Sequence, residues 1–435
     1  MKILFQKKIK TFDGTEVAGS KIYNLTDVKE INFLHLKKKY IPYGSGMSYA
    51  PSNIGNDVLS VKLNLAKKIK LNFRKRILIV TSNVMLFEIF NFLIDKNLIL
   101  DVQPGISNAT VGGCVAANVH GKNQARDGNF KSIIKSFKIK MLNGDIKVCS
   151  REKNKKLFHL TIGGLGLTGF ITEVSLKVSN LPSSSINIQS FKLTSLFDLI
   201  KYKDLYKTNN IIYSWHFSDS KNFGKGLLFI GNHSNKKIKK QKILKNIKFL
   251  KNPLRFILFS RLNIKLLNRF FYYRNKQLNK DINISDAFFP FIKKRFYFSL
   301  FGASGFYEHQ CIIPYKYFTK YIKELENLNI VYKPTITLLS CKYFNSKKKY
   351  LNFSGQGICL AVNLPKTKGS SIFLSELEKI AIKYGCILNV NKDSHVSFMI
   401  IKKIYKRNYE IFKKEISSLG DVGDLSSELS KKLHL

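Results

Sequence analysis

The chain has 435 residues, of which 44% are hydrophobic and 13% aromatic, and its formal net charge is +46. This length predicts two or three domains at roughly 150 residues each, and the hydrophobic content excludes a disordered chain. Six scattered cysteines without a CxxC pair exclude a disulfide scaffold and a zinc site, and we predict no metal.

The first third reads as alternating strands, helices and glycine turns. Residues 77–83 are an apolar β-rich run ending in Ser82-Asn83, which predicts a helix cap, and residues 84–97 have helical length. Alternating residues on both sides of Asn143-Gly144 predict a β-hairpin. Residues 157–178 predict a glycine-rich turn that runs into an alternating strand.

The character of the chain changes near residue 180, where 181–185 (LPSSS) predicts a linker. Towards the end, residues 370–385 predict a helix closed by Gly385. Residues 386–394 predict a strand, and about 400–430 a helical tail.

Glycine-rich stretches at 40–53, 102–123 and 162–170 are the strongest functional signal. Glycine lets the backbone approach a ligand closely, and successive backbone N–H groups in such turns bind anions such as a pyrophosphate. One such loop is usually only a turn, but three within 130 residues indicate a bound dinucleotide. The GxGxxG and GxxxxGK[ST] fingerprints are missing, so the motifs predict neither a Rossmann nor a P-loop protein.

The order of four motifs resembles a known family. PYGSGMSY (42–49), PGISNATVGG (104–113), HGKN (120–123) and GGLGLTG (163–169) follow one another as in the FAD-linked oxidases of the vanillyl-alcohol oxidase type, which carry a PCMH-type FAD-binding domain. The resemblance extends from about residue 35 to the C-terminus. Further matches are FGASGFYEHQCIIP (301–314), GICLAVNLP (357–365) and KDS (392–394).

The resemblance implies which residues contact the cofactor and the substrate. The cofactor-binding residues implied are Gly44, Ser45, Gly46, Met47, Ser48 and Tyr49 in the first loop, Gly105, Thr110, Val111, Gly112 and Gly113 in the second, and Ala117, Asn118, Val119, His120, Ile171 and Asn389 along the flavin. The substrate-binding residues implied are Glu308, Gln310, Cys359 and Lys392, with Cys359 as a pocket-wall thiol.

The chain departs from the family at three of these positions. Met47 stands where relatives with covalently attached FAD often have a histidine, so we expect FAD to be bound non-covalently. Asn389 replaces a tyrosine. Glu308 replaces a glutamine and adds a carboxylate that could alter sugar specificity.

Lys392, His120 and Lys122 are the catalytic candidates. Oxidation of an alcohol by a flavin requires a group that takes the hydroxyl proton and a positive charge near the flavin carbonyl. Lys392 matches the family's active-site lysine, either as a contact to the flavin or substrate oxygen or, with a lowered pKa, as a base. Both roles remain open from the sequence.

Two explanations of the high net charge remain open from the sequence. The charge reflects either a general composition rich in Lys, Asn, Ile and Phe or the binding of an anionic partner. Residues 236–280 contain fifteen Lys or Arg and no acid, between long apolar patches. This pattern favours docking on an anionic membrane over a solvated face, and both over nucleic-acid binding. No run approaches the ~18 apolar residues of a membrane span. We therefore expect a cytoplasmic protein, peripheral at the inner face of the membrane.

The predicted fold class is α+β, with a two-lobed PCMH-type FAD-binding domain at 1–180. A substrate domain on an antiparallel sheet follows at 181–386, and 387–435 return to the FAD domain. The resemblance implies oxidation of a secondary sugar hydroxyl, such as the 2′-hydroxyl of a polyprenylphosphoryl pentose, before a keto-sugar reductase completes an epimerisation in cell-envelope polysaccharide biosynthesis. The alternatives are an aldonolactone oxidase and a basic lipid- or nucleic-acid-binding protein on a relic flavin fold.

Overall fold

A computed structural model describes residues 3–5, 8–35, 39–236, 243–246, 254–419 and 424–435. Parts of the basic run 236–280, namely 237–242 and 247–253, lie outside the described residues. None of the helices in the described ranges combines the length and the hydropathy that a membrane crossing requires.

The first lobe is a four-stranded sheet in the order β1-β4-β6-β5, in which β4, β6 and β5 are parallel. A separate pair, β2 and β3, is antiparallel. The strands are β1 (Ile3–Phe5), β2 (Lys8–Lys10), β3 (Glu16–Ala18), β4 (Lys21–Leu25), β5 (Lys39–Pro42) and β6 (Val58–Leu63).

The second lobe is a five-stranded antiparallel sheet in the order β11-β10-β12-β8-β7. Its strands are β7 (Ile69–Asn72), β8 (Ile77–Thr81), β10 (Ile134–Lys140), β11 (Ile146–Ser150) and β12 (Phe170–Lys177), and the short β9 (Leu98–Ile99) pairs with β13 (Ser179–Asn180). Its helices are α1 (Leu86–Ile94), α2 (Val111–Ala117), α3 (Gln124–Asp127) and α4 (Lys155–Thr161).

The hairpin prediction in this lobe is confirmed, whereas the helix cap is wrong. β10 and β11 pair directly across the turn that contains Gly144, whose φ is +91°. Helix α1 begins after Met85, not after Ser82-Asn83, because the Glu88 carboxylate accepts a hydrogen bond from the Met85 N–H at 2.9 Å. The Asn83 amide instead donates to the carbonyl of Leu65.

The remaining strands form one eight-stranded antiparallel sheet in the order β17-β14-β16-β15-β19-β20-β18-β21. They are β14 (Ser185–Leu193), β15 (Ile211–His216), β16 (Gly226–His233), β17 (Asn279–Asn283), β18 (Phe306–Ile313), β19 (Leu338–Asn345), β20 (Gln356–Pro365) and β21 (Ile387–Leu388). The helices of this part are α5 (Arg261–Asn275), α6 (Ile284–Phe288), α7 (Arg295–Ser299), α8 (Phe318–Tyr332), α9 (Lys368–Lys383), α10 (Phe398–Tyr405), α11 (Arg407–Ser417) and α12 (Glu428–Lys432). Short 3-10 helices lie at Val28–His35, Phe130–Ser132, Leu196–Tyr202, Leu205–Lys207, Pro290–Lys293 and Tyr315–Tyr317.

These sheets and helices confirm the α+β fold class. The helix before Gly385 is confirmed as α9, and Gly385 has a φ of +63°. The strand predicted at 386–394 is wrong beyond β21, because a turn follows Leu388. The domain boundaries stay a prediction. β21 pairs with β18 in the large sheet, while the Glu428 N–H donates to the carbonyl of Ile54 in the first lobe.

The eight-stranded sheet has two different faces, because side chains alternate along a strand. On β19, Leu339, Cys341 and Tyr343 are buried in the core that also holds side chains of α8 and α9. The intervening residues of the same strand line the cavity described next. One face of the sheet therefore packs in the core, and the other lines the cavity.

Candidate active site

A cavity of about 970 Å³ lies where the glycine loops of both lobes meet the free face of the eight-stranded sheet. This volume is at the upper end of the ~300–1,000 Å³ usual for small-molecule sites. The predicted site residues that line it are Gly44, Ser45, Gly46, Met47, Ser48, Tyr49, Gly105, Thr110, Gly112, Gly113, Ala117, Asn118, Val119, His120, Lys122, Ile171, Glu308, Gln310, Asn389 and Lys392. The structure thus brings together residues from the whole length of the chain.

One region of the cavity is built from backbone. None of the five N–H groups of residues 44–48 donates to an acceptor in the described part of the chain. Gly46 has a φ of +71°, and a Cβ on Gly44 would lie 2.6 Å from Thr110 Oγ1. Unpaired backbone donors beside a cavity need an acceptor, and a pyrophosphate supplies several. The first loop therefore fits the diphosphate of FAD.

The second loop adds a close-packed wall. Thr110 Oγ1 accepts from the Gly113 N–H, and a Cβ on Gly112 would lie 3.1 Å from Ser82 Cβ. Val111 is an exception to the predicted set, because it does not line the cavity. Its side chain is fully buried in the core of the second lobe, and its N–H donates to Val84.

His120 follows α2 and faces the cavity from the second lobe. Asn118, in a left-handed conformation with φ 44°, ends the helix, and its amide donates to Asn352 at 2.9 Å. The His120 ring packs 4.9 Å from the ring of Phe344. Burial and then the charges of nearby lysines hold the pKa of His120 well below its usual value, so the imidazole is neutral near pH 7.

A neighbouring region of the cavity, beside Tyr49, carries an ion pair. Lys392 Nζ lies 2.9 Å from Glu308 Oε1, and the Glu308 side chain is 6% exposed. The same ammonium lies 4.5 Å from the centroid of the Tyr49 ring, within reach of a cation–π contact. Glu308 supplies the only carboxylate among the described residues that line the cavity.

A tight turn holds Lys392 in place. Its N–H donates to the carbonyl of Asn389, and the side-chain amide of Asn389 donates to Gln310 at 2.6 Å. Asp393 fixes the other side, because its carboxylate accepts from Val396 N–H and pairs with His309 Nδ1 at 2.8 Å. Lys392 therefore projects from a rigid turn and not from a strand.

Alternation along neighbouring strands gives the free face of the sheet its residues. Glu308 and Gln310 on β18 lie opposite Asn363 and Ala361 on β20, and all four line the cavity. Cys359 shares this alternation but does not reach the cavity surface, so its expected place in the pocket wall is wrong. It is 1% exposed, and burial raises the pKa of its thiol.

Sequence reasoning missed two lysines and an aromatic wall. Lys342 on β19, opposite Cys359, and Lys294, just before α7, both line the cavity. Tyr213 and Trp215 of β15 line it as well. Single lysines in a chain of 74 Lys and Arg carry no signal of their own, and only the strand register could have placed Lys342 on this face.

Helix α5 borders the cavity and also presents an apolar surface outward. Ile264 and Leu267 line the cavity. Leu262, Leu266 and Phe270 are 70%, 57% and 63% exposed. Residues four apart share one helix face, so these three form an apolar stripe.

A family model described as an FAD binding domain matches residues 29–150, the region of both glycine loops. Together with the unpaired loop donors and the fold, this match defines the class. The chain is an FAD-dependent oxidoreductase with a PCMH-type FAD-binding domain.

Among curated proteins, the chain is similar to decaprenylphosphoryl-beta-D-ribose oxidase of Mycolicibacterium smegmatis, with 24% identity over 91% of this chain and 89% of that protein. Two shorter matches are mitochondrial proteins of Arabidopsis thaliana. L-galactono-1,4-lactone dehydrogenase is 29% identical over 43% of this chain and 33% of its own length. A cytochrome-type D-lactate dehydrogenase is 27% identical over 34% and 28%.

Proposed function

We propose that the protein oxidises a secondary sugar hydroxyl, the 2′-hydroxyl of a polyprenylphosphoryl pentose, to a ketone. The observation that carries this proposal is the Lys392–Glu308 pair, which lines one cavity together with the cofactor loops and an apolar wall. The long match to a decaprenylphosphoryl-ribose oxidase supports the substrate class. The shorter matches to lactone dehydrogenases make an aldonolactone the competing substrate.

The ion pair provides the groups that this oxidation needs. The carbinol carbon loses a hydride and its hydroxyl loses a proton. FAD, when bound, supplies the two-electron acceptor for the hydride. Glu308 takes the proton, and the Lys392 ammonium stabilises the negative charge that develops on the oxygen. The base and the charge are thus assigned to different residues.

The apolar wall of the cavity fits a lipid better than a free sugar. Tyr213, Trp215 and residues of α5 form this wall with aromatic and aliphatic side chains. A polyprenyl chain would bury this surface at about 25 cal/mol per Å² of apolar area, whereas a lactone leaves it wet.

FAD is held without a covalent bond in this proposal. Met47 lines the cavity in the first loop, and its thioether lacks the nucleophilic nitrogen of an imidazole. Acid precipitation of the purified yellow protein should leave flavin in the supernatant. Flavin that stays with the pellet would point to His120 as the tether and contradict non-covalent binding.

The activity itself is tested with farnesylphosphoryl-ribose added anaerobically to the FAD-loaded protein. Bleaching of the flavin band and formation of a keto-sugar, detected by mass spectrometry, are expected. An aldonolactone is the matched competitor. Bleaching by the lactone alone would replace the lipid-sugar proposal with the lactone oxidase.

The apolar stripe of α5 is proposed to dock on an anionic membrane, which places a lipid-linked substrate beside the cavity. Arg261, Lys265 and Arg269 interleave with the stripe. Each basic residue near anionic lipid adds ~1 kcal/mol. An L262D/L266D variant should stop co-sedimenting with phosphatidylserine vesicles. The control I330D, which changes an exposed side chain of α8, should still bind. Equal binding of both variants would rule out this docking face.

A keto-sugar is reactive and is only half of an epimerisation. We propose that a separate reductase consumes it. Addition of a candidate reductase with its reduced cofactor should convert the ketone to the epimeric alcohol. Return of the starting sugar would contradict this role.

A further inference from the structure

Three lysine side chains that the proposed reaction does not use face the same part of the cavity. Lys122 follows α2, Lys294 precedes α7, and Lys342 lies on β19. We call them the lysine triad. They come from both the FAD-binding lobe and the sheet, so the cavity collects them only in the folded chain.

The triad has few partners in the protein. Lys122 Nζ donates to the carbonyl of Ala287 at 3.1 Å and lies 4.4 Å from the centroid of the Tyr213 ring. Within the described residues, the ammonium groups of Lys294 and Lys342 form no hydrogen bond or ion pair. An ammonium group has three donors, so the triad presents a group of unused cationic donors.

The local charge is unbalanced. Burial, then Lys294 and Lys342, lower the pKa of Lys122 to about 7. Burial also lowers the pKa of Lys342. The one carboxylate of the cavity, Glu308, is already held by Lys392 at 2.9 Å. Lys122 and Lys342 are half-buried beside the exposed Lys294, and cations crowded in this way are stabilised by an anion between them.

We propose that the lysine triad binds the phosphate of the substrate, so that the enzyme selects a phosphorylated sugar over a neutral one. This inference rests on the proposed function. Glu308 on β18 and Lys342 on β19 project from the same face of the sheet into one cavity, and the charges of Glu308 and Lys392 act on Lys342, so the triad shares this part of the cavity with the ion pair. In a sugar 1-phosphate ester the phosphate is one carbon away from the 2′-hydroxyl. The adjacency of triad and ion pair matches that chemistry, and a lactone has no group for the triad.

The test compares two substrates on the FAD-loaded enzyme, farnesylphosphoryl-ribose and the neutral octyl riboside. The double variant K294Q/K342Q removes two charges without touching the ion pair. We expect the KM for the phosphorylated substrate to rise about 30-fold, because hydrogen bonds to charged groups are strong. The KM for the neutral riboside should stay within about twofold. The control K135Q, exposed on β10, should change neither.

Other outcomes separate the inference from the proposed function. Equal loss with both substrates, or no loss with either, would overturn the phosphate site and leave the oxidation intact. If the wild-type enzyme oxidises neither substrate, the proposed function fails. The triad is then judged by calorimetric titration of inorganic phosphate into the FAD-loaded protein. Binding to wild type but not to K294Q/K342Q would keep the anion site, and equal binding would eliminate it.

Discussion

Two neighbouring regions of the cavity are built in different ways. The loop region at residues 44–48 offers backbone N–H groups from one short loop, whereas the ion-pair region at Lys392 and Glu308 offers charged side chains from distant elements. A site made of backbone N–H groups depends on the local chain conformation, as at Gly46 with a φ of +71°, and suits a diphosphate. A side-chain site changes with single substitutions, as Glu308 in place of glutamine illustrates. Chain conformation thus positions the donors of the loop region, whereas side-chain identity sets the chemistry of the ion-pair region.

The largest effect on catalysis should come from a substitution in the ion-pair region. The K392M variant removes the charge that stabilises the developing oxyanion, and we expect kcat to fall about 10³-fold. K392R keeps the charge and should retain at least a tenth of the activity. FAD content, read from the flavin absorbance, should be unchanged in both. Equal inactivity of K392R and K392M would reassign Lys392 as the base.

Removal of the carboxylate should have the next largest effect. The E308Q variant keeps the size of the side chain but cannot take a proton, so we expect kcat to fall about 10²-fold. The Q310E variant is the matched control, since it keeps Glu308 and adds a second carboxylate on the same strand face. Full activity of E308Q would show that the amide suffices, as in the family, and that another group takes the proton.

The loop region is tested by adding one methyl group to Gly44. A Cβ on Gly44 would lie 2.6 Å from Thr110 Oγ1, so G44A should distort the loop and weaken FAD binding about tenfold. Gly369 has nothing within 4 Å of its added Cβ, and G369A should bind FAD as wild type does. The measurement is the FAD dissociation constant by flavin fluorescence. Equal affinities would mean that the loop accommodates side chains after all.

The pH dependence sharpens the role of Lys122. Its pKa of about 7 in the free enzyme means that it loses its charge as pH rises through neutrality. Lys294 and Lys342 act on it, and the Tyr213 ring and the Ala287 carbonyl contact it. We expect kcat/KM for the phosphorylated substrate to fall roughly tenfold above this pH. The K122R variant stays charged, so its kcat/KM should not fall in this pH range. A fall that persists in K122R would assign the titration to another group.

The smallest effect concerns the support of the Lys392 turn. Burial lowers the pKa of His309, but the hydrogen bond to Asp393, together with Cys311 and the charge of Asp393, more than offsets this and raises the pKa to about 10. The stabilisation is therefore complete below the unfolded pKa of ~6.5 and is lost as pH rises through about 10. Relative to H309Q, the wild-type melting temperature should drop a few degrees more between pH 7 and 10. Parallel curves would exclude a charged His309.

The loop region and the side-chain part of the cavity also differ in how far the sequence predicts their residues. The glycine loops are local patterns, so residues 44–49 and Gly105, Thr110, Gly112 and Gly113 could be identified from the sequence alone, whereas Val111 turns inward. The Asn143-Gly144 hairpin and the helix before Gly385 are local as well. Lys294 and Lys342 could not be found, because their position depends on strand register and on a meeting of distant elements. The helix cap expected at Ser82-Asn83 is displaced by another local interaction. The carboxylate of Glu88, three residues into the helix, accepts a hydrogen bond from the Met85 N–H, so the helix begins after Met85.

The contact between the first loop and the Lys392 turn has a consequence for protein synthesis. The N–H groups of Tyr49 and Ala50 both donate to the carbonyl of Asn391, and Ser48 Oγ donates to the same oxygen across 343 positions of sequence. At ~5–20 residues per second, a ribosome needs roughly 20–70 s to travel that distance. The nascent first loop therefore waits without its support for that time. We expect FAD to be captured only after the turn leaves the exit tunnel.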